Sequence, residues 1–435
     1  MWDYLYTDVL IVGAGLAGIM AAIAAADEGS EVVLTTGGNF LKAGSSYIAL
    51  QKSGWGIQAA LGQREYDTVE NHFLETLEVG LGVCNENLVS ILVEEAPLMV
   101  ERLISWGIPF KKEGTLLKQI TGCFSRMPRA VITGNSYEVL PIIEKQIRKR
   151  KIKIIENFSI TDLIIHEGRC WGAVGLIQRK RFLEIHSKTT ILATGGAGAI
   201  FSRNMVDFGS IGWSYALGAM AGAKLINLEF IQIMLGVTSP EKKENFPLDW
   251  LQYEPVFLDA NGHDILSDSW ITAPIDKIYS ERSKHYPFST RDESAFLDIA
   301  VASHIQAQKG VAEDGILVKF PPIKQEQISL PNPVQVAPYS HAFNGGLLID
   351  AQCRTSVEGL YAAGECAGGI HGADRIGGNM QAACVVFGFR AGKFAAKEAL
   401  SMKALSMKNV RHLTRHEDIK KTWNNRSDKK LPILS

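Results

Sequence analysis

Apolar residues at the start of the chain follow the pattern of a buried strand, a glycine turn and a helix. Residues 8–12 read DVLIV, and this apolar run is typical of a parallel strand buried on both faces. GAGLAG comes next, and small apolar residues then continue from Leu16 to Glu28 up to Gly29, which is typical of a helix C-terminus. EVVL at 31–34 predicts a second strand, so the chain begins with a strand–turn–helix–strand unit.

The hydrophobic pattern changes twice after this unit. Amphipathic helices are predicted within 68–105 and over 141–150, and KIKIIE, SITDLII and CWGAVGLI predict a short antiparallel set before TTILATGGAGAI. From about Asn227 to Pro338, aromatic, proline and charged residues are mixed and long apolar runs are few, which indicates a separate unit. GGLLID, GLYAAGE and a helix over 380–400 follow, before a polar C-terminal stretch.

The length and charge of the chain exclude several classes of protein. A chain of 435 residues exceeds what one hydrophobic core usually serves, so two domains, or one domain with an insertion, are expected. With 45 Lys and Arg against 46 Asp and Glu, the chain has no general attraction for phosphate backbones, so no nucleic-acid partner is expected. Because no apolar run reaches about 18 residues, we expect no transmembrane segment and a cytoplasmic protein.

The six cysteines form no C-x-x-C pair and no Cys/His run at zinc spacing. This argues against an iron–sulfur cluster or structural zinc in this chain, and no metal site is predicted. Scattered cysteines in so long a chain are typical of reduced cytosolic thiols.

Glycine is the most informative residue type. The 41 glycines are clustered, and the first cluster is a G-x-G-x-x-G between a predicted strand and a predicted helix. Gly13 permits the tight turn, Gly15 lets a pyrophosphate approach the backbone, and Gly18 lets the helix pack on the strand. This context indicates dinucleotide binding rather than a purely structural turn. Thr35 ends the second strand where a carboxylate usually binds the NAD ribose. The ribose is therefore expected to be bound by this hydroxyl and nearby backbone, which argues against simple NAD binding.

Two further glycine clusters end predicted strands, ATGGAG at 193–198 and GLYAAGE at 359–365. Three strand ends then present glycine or a carboxylate to one ligand, which fits a long two-part cofactor such as FAD. The alternative is that the glycines merely end strands. This could explain any one cluster, but it explains poorly why all three clusters occur together.

In these segments the chain resembles the flavoprotein subunits of the fumarate reductase, succinate dehydrogenase and L-aspartate oxidase family. The resemblance covers about residues 7–400 and is carried by GAGLAG, KAGSSYIALQ, ILATGGAGAIF, MAGAKLINLEFIQ, STRDESA, HAFNGG and GLYAAGECAGGIHGADRIGGNMQAACVVFGFRAG. It implies an α/β fold in which an FAD-binding, Rossmann-like (doubly wound) domain carries an inserted α+β capping domain. The FAD-binding domain is then 1–226 and 339–402, the capping (substrate) domain 227–338, and a peripheral C-terminal tail 403–435.

The resemblance also implies which residues bind FAD. Glu365 is expected to accept hydrogen bonds from ribityl or ribose hydroxyls, and Asn379 to direct the backbone donors of the last helix at the flavin pyrimidine edge. The full set of expected cofactor-binding residues is Gly13, Ala14, Gly15, Ala17, Gly18, Thr35, Thr36, Gly44, Ser45, Ser46, Ala193, Thr194, Gly195, Gly196, Gly364, Glu365, Arg375, Gly378, Asn379 and Met380.

Three catalytic residues follow from the same resemblance. Arg291 in STRDESA matches an arginine that delivers or removes the proton opposite the hydride, and the two acidic residues after it are candidate relays because a guanidinium is effectively always protonated. His341 matches a carboxylate-binding histidine, and Arg375 matches an arginine that clamps a substrate carboxylate with its planar fork of donors. His371 also matches the motif, but a core histidine bonded to backbone explains it equally well.

The chain departs from the family at several positions. Ser46 stands where members with covalent flavin have a histidine, so FAD is expected to be non-covalent. Met234 replaces a histidine of the substrate segment, which indicates a changed substrate, with Met234, Trp250 and Tyr253 either as lining or as ordinary core. The C-terminal extension that binds an iron–sulfur subunit in long members is largely absent, so a membrane-bound respiratory complex is not expected.

These patterns favour an FAD-dependent oxidoreductase that acts on a CH–CH bond next to a carboxylate or carbonyl of a small carboxylate-type substrate. Two alternatives stay open: an amino-acid oxidase that resembles L-aspartate oxidase, and an electron-transfer subunit that docks a ferredoxin-like iron–sulfur partner. The intact STRDESA and HGADRIGGN motifs argue against the last, since a pure electron carrier has no need of an arginine pair over the flavin.

Overall fold

The structure is a computed structural model that describes residues 2–178, 180–239, 244–307, 315–321 and 334–402. The helices in these ranges are α1 (Leu16–Asp27), α2 (Ser45–Lys52), α3 (Val69–Val79), α4 (Glu86–Ser105), α5 (Ser136–Lys149), α6 (Trp213–Met220), α7 (Ile275–Arg282), α8 (Ala295–Ala307) and α9 (Asn379–Ser401). The strands are β1 (Trp2–Val12), β2 (Val32–Thr35), β3 (Gly56–Gln58), β4 (Lys112–Glu113), β5 (Leu116–Leu117), β6 (Gln119–Thr121), β7 (Pro128–Ile132), β8 (Lys153–Ile155), β9 (Phe158–His166), β10 (Arg169–Ile177), β11 (Arg181–Leu192), β12 (Leu225–Ile226), β13 (Ile231–Ser239), β14 (Glu244–Asn245), β15 (Val256–Leu258), β16 (Ile316–Lys319), β17 (Val334–Phe343), β18 (Gly346–Leu348), β19 (Leu360–Ala362) and β20 (Ala367–Gly368).

The chain divides into two compact units. Among the described residues, the first consists of the chain up to Ile200, Val206–Phe230 and 343–402, and the second consists of Phe201–Met205 and Ile231–Ala342. The capping segment expected at 227–338 overlaps the second unit, whose bounds lie slightly later and which also takes in Phe201–Met205. The tail expected at 403–435 lies outside the described residues.

The first unit is built on a seven-stranded sheet with the order β8-β2-β1-β11-β10-β9, in which β19 also pairs with β11. β1 is parallel to β2 and β11, and β11 is parallel to β19, whereas β10 is antiparallel to both β9 and β11. The apolar run of β1 is fully buried, as the continuous hydrophobic pattern predicts for a strand covered on both faces.

One part of the predicted strand order was wrong. KIKIIE is not a member of an antiparallel set, because β8 pairs in parallel with β2 at the edge of the sheet. SITDLII and CWGAVGLI, in contrast, do form the antiparallel pair β9–β10. A short apolar run carries no information about strand direction, which depends on where the chain returns to the sheet.

Helices α1 and α9 pack closely because both present small residues at their contact. A Cβ on Gly388 would lie 2.5 Å from the carbonyl oxygen of Ala17, and a Cβ on Gly392 would lie 2.1 Å from that of Ala21. Any larger side chain at these two glycines therefore forces the helices apart. Among the helices in the described ranges, none has a stretch long and apolar enough to cross a membrane.

The second unit contains a five-stranded sheet with the order β14-β13-β17-β16-β15 and the helices α7 and α8. β15, β16 and β17 are antiparallel neighbours. The unit has its own hydrophobic core, which includes Phe246, Phe257, Ile278, Leu297 and Val336, all 0% exposed. An independent core of this kind is what a separate domain requires.

Candidate active site

The ends of three parallel strands in the first unit lie side by side. Val12 of β1 is in register with Leu192 of β11, and Leu192 is in register with Ala362 of β19. The three glycine- or carboxylate-bearing segments that follow these strands therefore start at one edge of the sheet. Open α/β sheets bind ligands outside the carboxyl ends of their strands, so this edge is the candidate cofactor site.

The first glycine cluster has the packing that its spacing predicts. Gly13 has a φ of +112°, and a Cβ there would lie 2.2 Å from the carbonyl oxygen of Ala193, so this turn requires glycine. A Cβ on Gly18 would lie 1.8 Å from the carbonyl oxygen of Gly13, whereas a Cβ on Gly15 would meet only Ser46 Oγ, at 3.6 Å. Gly15 thus leaves backbone open in front of α1.

The N-terminus of α1 is arranged to attract an anion. Gly15 is the N-cap and provides no side-chain cap, so the first N–H groups of the helix depend on other partners. The Leu16 N–H donates to Ser46 Oγ at 3.2 Å, and Ser45 Oγ accepts the N–H of Asp207 at 3.1 Å. The N-terminus of α2 is in this way linked to that of α1, at the place where a pyrophosphate is expected.

Thr35 and Thr194 use their hydroxyls within the protein. Thr35 is 1% exposed, and its hydroxyl donates to the carbonyl oxygen of Ile11 at 3.2 Å. The hydroxyl was expected to bind the ribose, and this contact within the protein does not support that expectation. Thr194 Oγ1 lies 2.6 Å from Ser214 Oγ and accepts the Ser214 N–H at the start of α6. The sequence pattern does not indicate that Ser214 contacts Thr194, because this contact depends on packing between segments that lie apart in the chain.

Glu365 is a partly buried carboxylate three residues after the end of β19. Its Oε1 accepts the N–H of Phe343 at 3.0 Å, and the Gly196 N–H also bonds to the carboxylate. Burial raises the pKa of Glu365, while these backbone donors and the charge of Arg375 act in the opposite direction. The carboxylate therefore joins the second and third glycine clusters.

Arg375 and His371 lie in the loop before α9, and both are buried. Arg375 is 7% exposed, and its guanidinium donates from Nη1 to the carbonyl oxygen of Ile376 at 3.4 Å. Burial, and then the charge of Arg375, lower the pKa of His371 well below its usual value, so this histidine is neutral. Its Nδ1 is buried and has no hydrogen-bond partner among the described residues.

Asn379, the first residue of α9, is held by two side chains of α3. His72 Nε2 donates to Asn379 Oδ1 at 2.9 Å, and Asn379 Nδ2 donates to Thr76 Oγ1 at 3.1 Å. Burial, followed by the charge of Arg129, lowers the pKa of His72 to about 3. The side chain of Asn379 thus fixes the start of α9, and no sequence motif indicates that His72 and Thr76 contribute.

In the second unit, a buried arginine fixes the segment that carries Arg291. Arg282 is 0% exposed and binds both carboxylate oxygens of Asp298 on α8, at 2.7 and 3.2 Å. Its other donors contact the carbonyl oxygens of His285 and Tyr286, the latter at 2.8 Å. Arg291 itself is exposed, and its N–H donates to Ser289 Oγ at 3.2 Å.

The two acidic neighbours of Arg291 have different partners. Asp292 Oδ2 lies 3.3 Å from His285 Nε2, whereas Glu293 Oε1 lies 3.3 Å from Lys277 Nζ. Burial raises the pKa of Asp292, but hydrogen bonding to Ser294 and the charge of His285 outweigh it, so this pKa lies below its usual range. His341, on β17, is half-buried.

The aromatic residues considered as substrate lining pack in the core of the second unit. Trp250 lies edge-on to Phe246 and Phe320, with ring centroids 5.6 and 5.7 Å apart, and Tyr253 packs against the same core. Met234 is 7% exposed and forms an isolated bridge with Pro287. These contacts favour the core alternative for Trp250 and Tyr253.

The residues at the sheet edge fit a dinucleotide such as FAD. Gly15 leaves the backbone open, α1 offers N–H donors, and the buried Nδ1 of His371 is a polar atom available to a ligand. Gly15 and Ser46, at the N-terminus of α1, are the residues that would lie against its pyrophosphate.

Comparisons with known proteins agree with this interpretation. The family described as FAD binding domain matches residues 8–380. The chain is 30% identical to one of the subunits of the fumarate reductase (CoM/CoB) of Methanothermobacter marburgensis, over 94% of this chain and 76% of that protein. It is 31% identical to L-aspartate oxidase of Mesorhizobium japonicum, over 85% of this chain and 71% of that protein.

A quinol fumarate reductase chain of E. coli has the same fold, with a TM-score of 0.74 and 22% identity over 97% of this chain and 75% of that one. The predicted α/β fold, the predicted cofactor FAD and the predicted family are therefore confirmed. The chain belongs to the FAD-dependent oxidoreductases of the fumarate reductase, succinate dehydrogenase and L-aspartate oxidase family.

Proposed function

We propose that this oxidoreductase acts on a CH–CH bond next to a carboxylate or carbonyl of a small carboxylate-type substrate. The observation that carries the proposal is the buried guanidinium of Arg375 beside the neutral His371. A positive charge shielded from water attracts an anion more strongly than an exposed charge does, and a guanidinium offers a carboxylate two parallel donors. Both properties support carboxylate binding at Arg375.

Bound FAD supplies the hydride donor or acceptor for such a bond. The chain then has to hold the anion and move a proton, and we assign the first task to Arg375 and His341 and the second to Arg291. We favour Asp292 as the proton relay, because its lowered pKa keeps the carboxylate ionised near neutral pH and able to accept a proton. Its Oδ2 also lies 3.3 Å from Nε2 of His285, to which the proton can pass. Glu293 is less suited to this role, since its carboxylate pairs with Lys277.

The same proposal takes FAD as non-covalently bound. A serine hydroxyl cannot replace the imidazole that forms the covalent linkage in some family members, and Ser46 Oγ accepts the Leu16 N–H. Denaturation in acid should therefore release all of the flavin into the supernatant. Flavin that stays with the precipitated chain contradicts this part of the proposal.

The proposed reaction is tested under anaerobic conditions. The flavin is photoreduced, a panel of unsaturated acids and 2-oxo acids is added, and reoxidation is followed by absorbance. Arg291→Gln should lose turnover with the active acid and keep its flavin, because the proton transfer is lost while the cofactor site is intact. Lys277→Gln is the matched control, since it removes one exposed charge from the same unit; wild-type turnover in Arg291→Gln overturns the assignment.

An amino-acid oxidase is the second candidate. Two L-aspartate oxidases are 31% and 32% identical to this chain over 85% and 86% of its length, against 30% over 94% for the fumarate reductase relative. Steady-state production of hydrogen peroxide in the presence of an amino acid supports this candidate, and a reduced flavin that reacts only with unsaturated acids excludes it.

A ferredoxin-like iron–sulfur partner is the proposed source of electrons. The Methanothermobacter relative of this chain is named as one of the subunits of a fumarate reductase, so it is one part of an assembly. A reduced ferredoxin should reduce the bound flavin in the absence of any organic acid. If the flavin accepts electrons from a ferredoxin and no acid reoxidises it, the chain is an electron-transfer subunit instead.

A further inference from the structure

Two histidines and an aspartate in the second unit form a cluster that the proposed reaction does not use. His263 Nε2 lies 2.8 Å from Asp268 Oδ1, and His304 Nε2 lies 2.9 Å from Asp268 Oδ2. The possible ligand atoms of these three residues all lie within 4.8 Å of one another. We propose that His263, Asp268 and His304 bind a divalent transition-metal ion of the zinc type.

The donor set selects the class of ion. Two imidazole nitrogens and one carboxylate oxygen suit Zn²⁺, Co²⁺ or Ni²⁺, whereas Mg²⁺ and Ca²⁺ prefer oxygen ligands only. Ligand atoms about 2.0–2.1 Å from a tetrahedral ion lie roughly 3.3 Å from one another. The two histidine nitrogens lie 2.8 and 2.9 Å from different oxygens of Asp268, so these distances open by a few tenths of an ångström on binding. The three ligand atoms that share one ion, which now lie within 4.8 Å of one another, have to reach about the tetrahedral separation.

A fourth residue, Asp259, organises both histidines. Its Oδ1 accepts the N–H of His263 at 2.9 Å, and also that of Asn261 at 2.8 Å, which fixes the turn that carries His263. Its Oδ2 lies 3.7 Å from Nδ1 of His304, the ring nitrogen that points away from Asp268. A histidine that binds a metal through Nε2 carries its proton on Nδ1, and such histidines usually direct that N–H at a carboxylate. Asp259 is the carboxylate beside this nitrogen, although 3.7 Å is longer than a hydrogen bond, so the two groups have to approach when the metal binds.

The cluster is held by structured surroundings and is open to solvent on one side. His304 lies on α8, Asp268 accepts the indole N–H of Trp270 at 3.0 Å, and the residues between the two loop ligands include the buried Ile265 and Leu266. The side chain of His263 is 46% exposed, while those of Asp268 and His304 are 22% and 18% exposed. An ion can thus enter from the His263 side and complete its coordination with water.

The bound ion joins the loop at 259–268 to α8. This helix begins at Ala295, shortly after Arg291, and its Asp298 binds the buried Arg282. A metal that binds only the folded unit stabilises it by mass action. Zinc is therefore expected to raise the unfolding temperature of the second unit without changing the flavin content.

The test uses tag-free, full-length flavoprotein that has been stripped with EDTA. Calorimetric titration with Zn²⁺ should give one saturable site, and Co²⁺ should give the visible absorption bands of a tetrahedral complex. His263→Gln and His304→Gln should each weaken Zn²⁺ binding by about tenfold or more, as loss of a ligand or its support usually does. His166→Gln is the matched control, because His166 is another exposed histidine next to an acidic residue, Glu167, at 3.8 Å.

The proposal is overturned if the wild type shows no saturable binding, or if both histidine variants bind Zn²⁺ as the wild type does. X-ray absorption of the zinc-loaded wild type provides a test that does not depend on how the variants fold. Two imidazole ligands are expected in its first coordination shell, and a shell with oxygen alone contradicts the assignment.

Discussion

Replacement of Arg129 by methionine should strongly destabilise the first unit. Arg129 is 0% exposed on β7, with Nη1 at 2.7 Å from Glu75 Oε2 and Nε at 3.5 Å from Asp67 Oδ1. Both carboxylates are themselves buried, with exposures of 7% for Glu75 and 1% for Asp67. The change leaves two negative charges in the interior without their cation.

Removal of one partner from a buried ion pair typically costs about 3–5 kcal/mol, because the remaining charge stays desolvated. The loss of stability should also affect the cofactor site, because Glu75 lies on α3. The same helix carries His72 and Thr76, which hold Asn379 at the start of α9. At about 2 °C for each kcal/mol in a unit of this size, the unfolding temperature should fall by roughly 6–10 °C.

The matched control lies three positions away. Arg126 also pairs with a glutamate of α3, Glu78, but these side chains are 69% and 47% exposed. An exposed pair contributes about 0–1 kcal/mol, so Arg126→Gln should lower the unfolding temperature by no more than about 2 °C. Thermal unfolding followed by circular dichroism, with flavin fluorescence to report cofactor release, measures both variants. Equal shifts in the two variants would refute the reasoning that burial decides the cost.

Two further predictions follow from the glycine turn and from His72. Without flavin, Gly13→Ala should unfold at a lower temperature than the wild type, since the new Cβ would meet the Ala193 carbonyl oxygen at 2.2 Å. Without flavin, Gly15→Ala should unfold at the wild-type temperature, but it should bind flavin weakly. Equal unfolding temperatures of the two flavin-free variants would contradict this prediction. His72 has its pKa lowered to about 3, against about 6.5 in the unfolded chain, so the unfolded state binds more protons between these values and stability is lost as pH falls through them. His72→Asn should flatten this slope in urea unfolding between about pH 4 and 7, and an unchanged slope contradicts the assignment.

The local motifs of the chain were predictable because they encode backbone conformation over a few residues. The apolar run of β1, the turn at Gly13 and the small-residue helix α1 all follow from neighbouring positions in the sequence. The meeting of the three strand ends was also predictable, since parallel strands present their carboxyl ends at one edge of a sheet. The direction of β8 was not, because its short apolar run is compatible with either direction.

Side-chain partners were beyond prediction when many residues separate them. Nothing in the sequence indicates that Arg129 lies between Asp67 and Glu75, or that Thr35 donates to Ile11 instead of facing a ligand. The ligands of the proposed metal site do not stand at zinc spacing either, since His304 comes from a helix far along the chain from His263 and Asp268.

The sequence by itself thus determined the family, the cofactor and the turn that receives it, since each depends on short motifs whose glycines have steric tasks. Only the tertiary structure decided which buried charges are paired, which hydroxyls are already used and which histidines converge. Burial and long-range packing control these properties, because they set the local dielectric environment and bring together groups that the chain itself keeps apart.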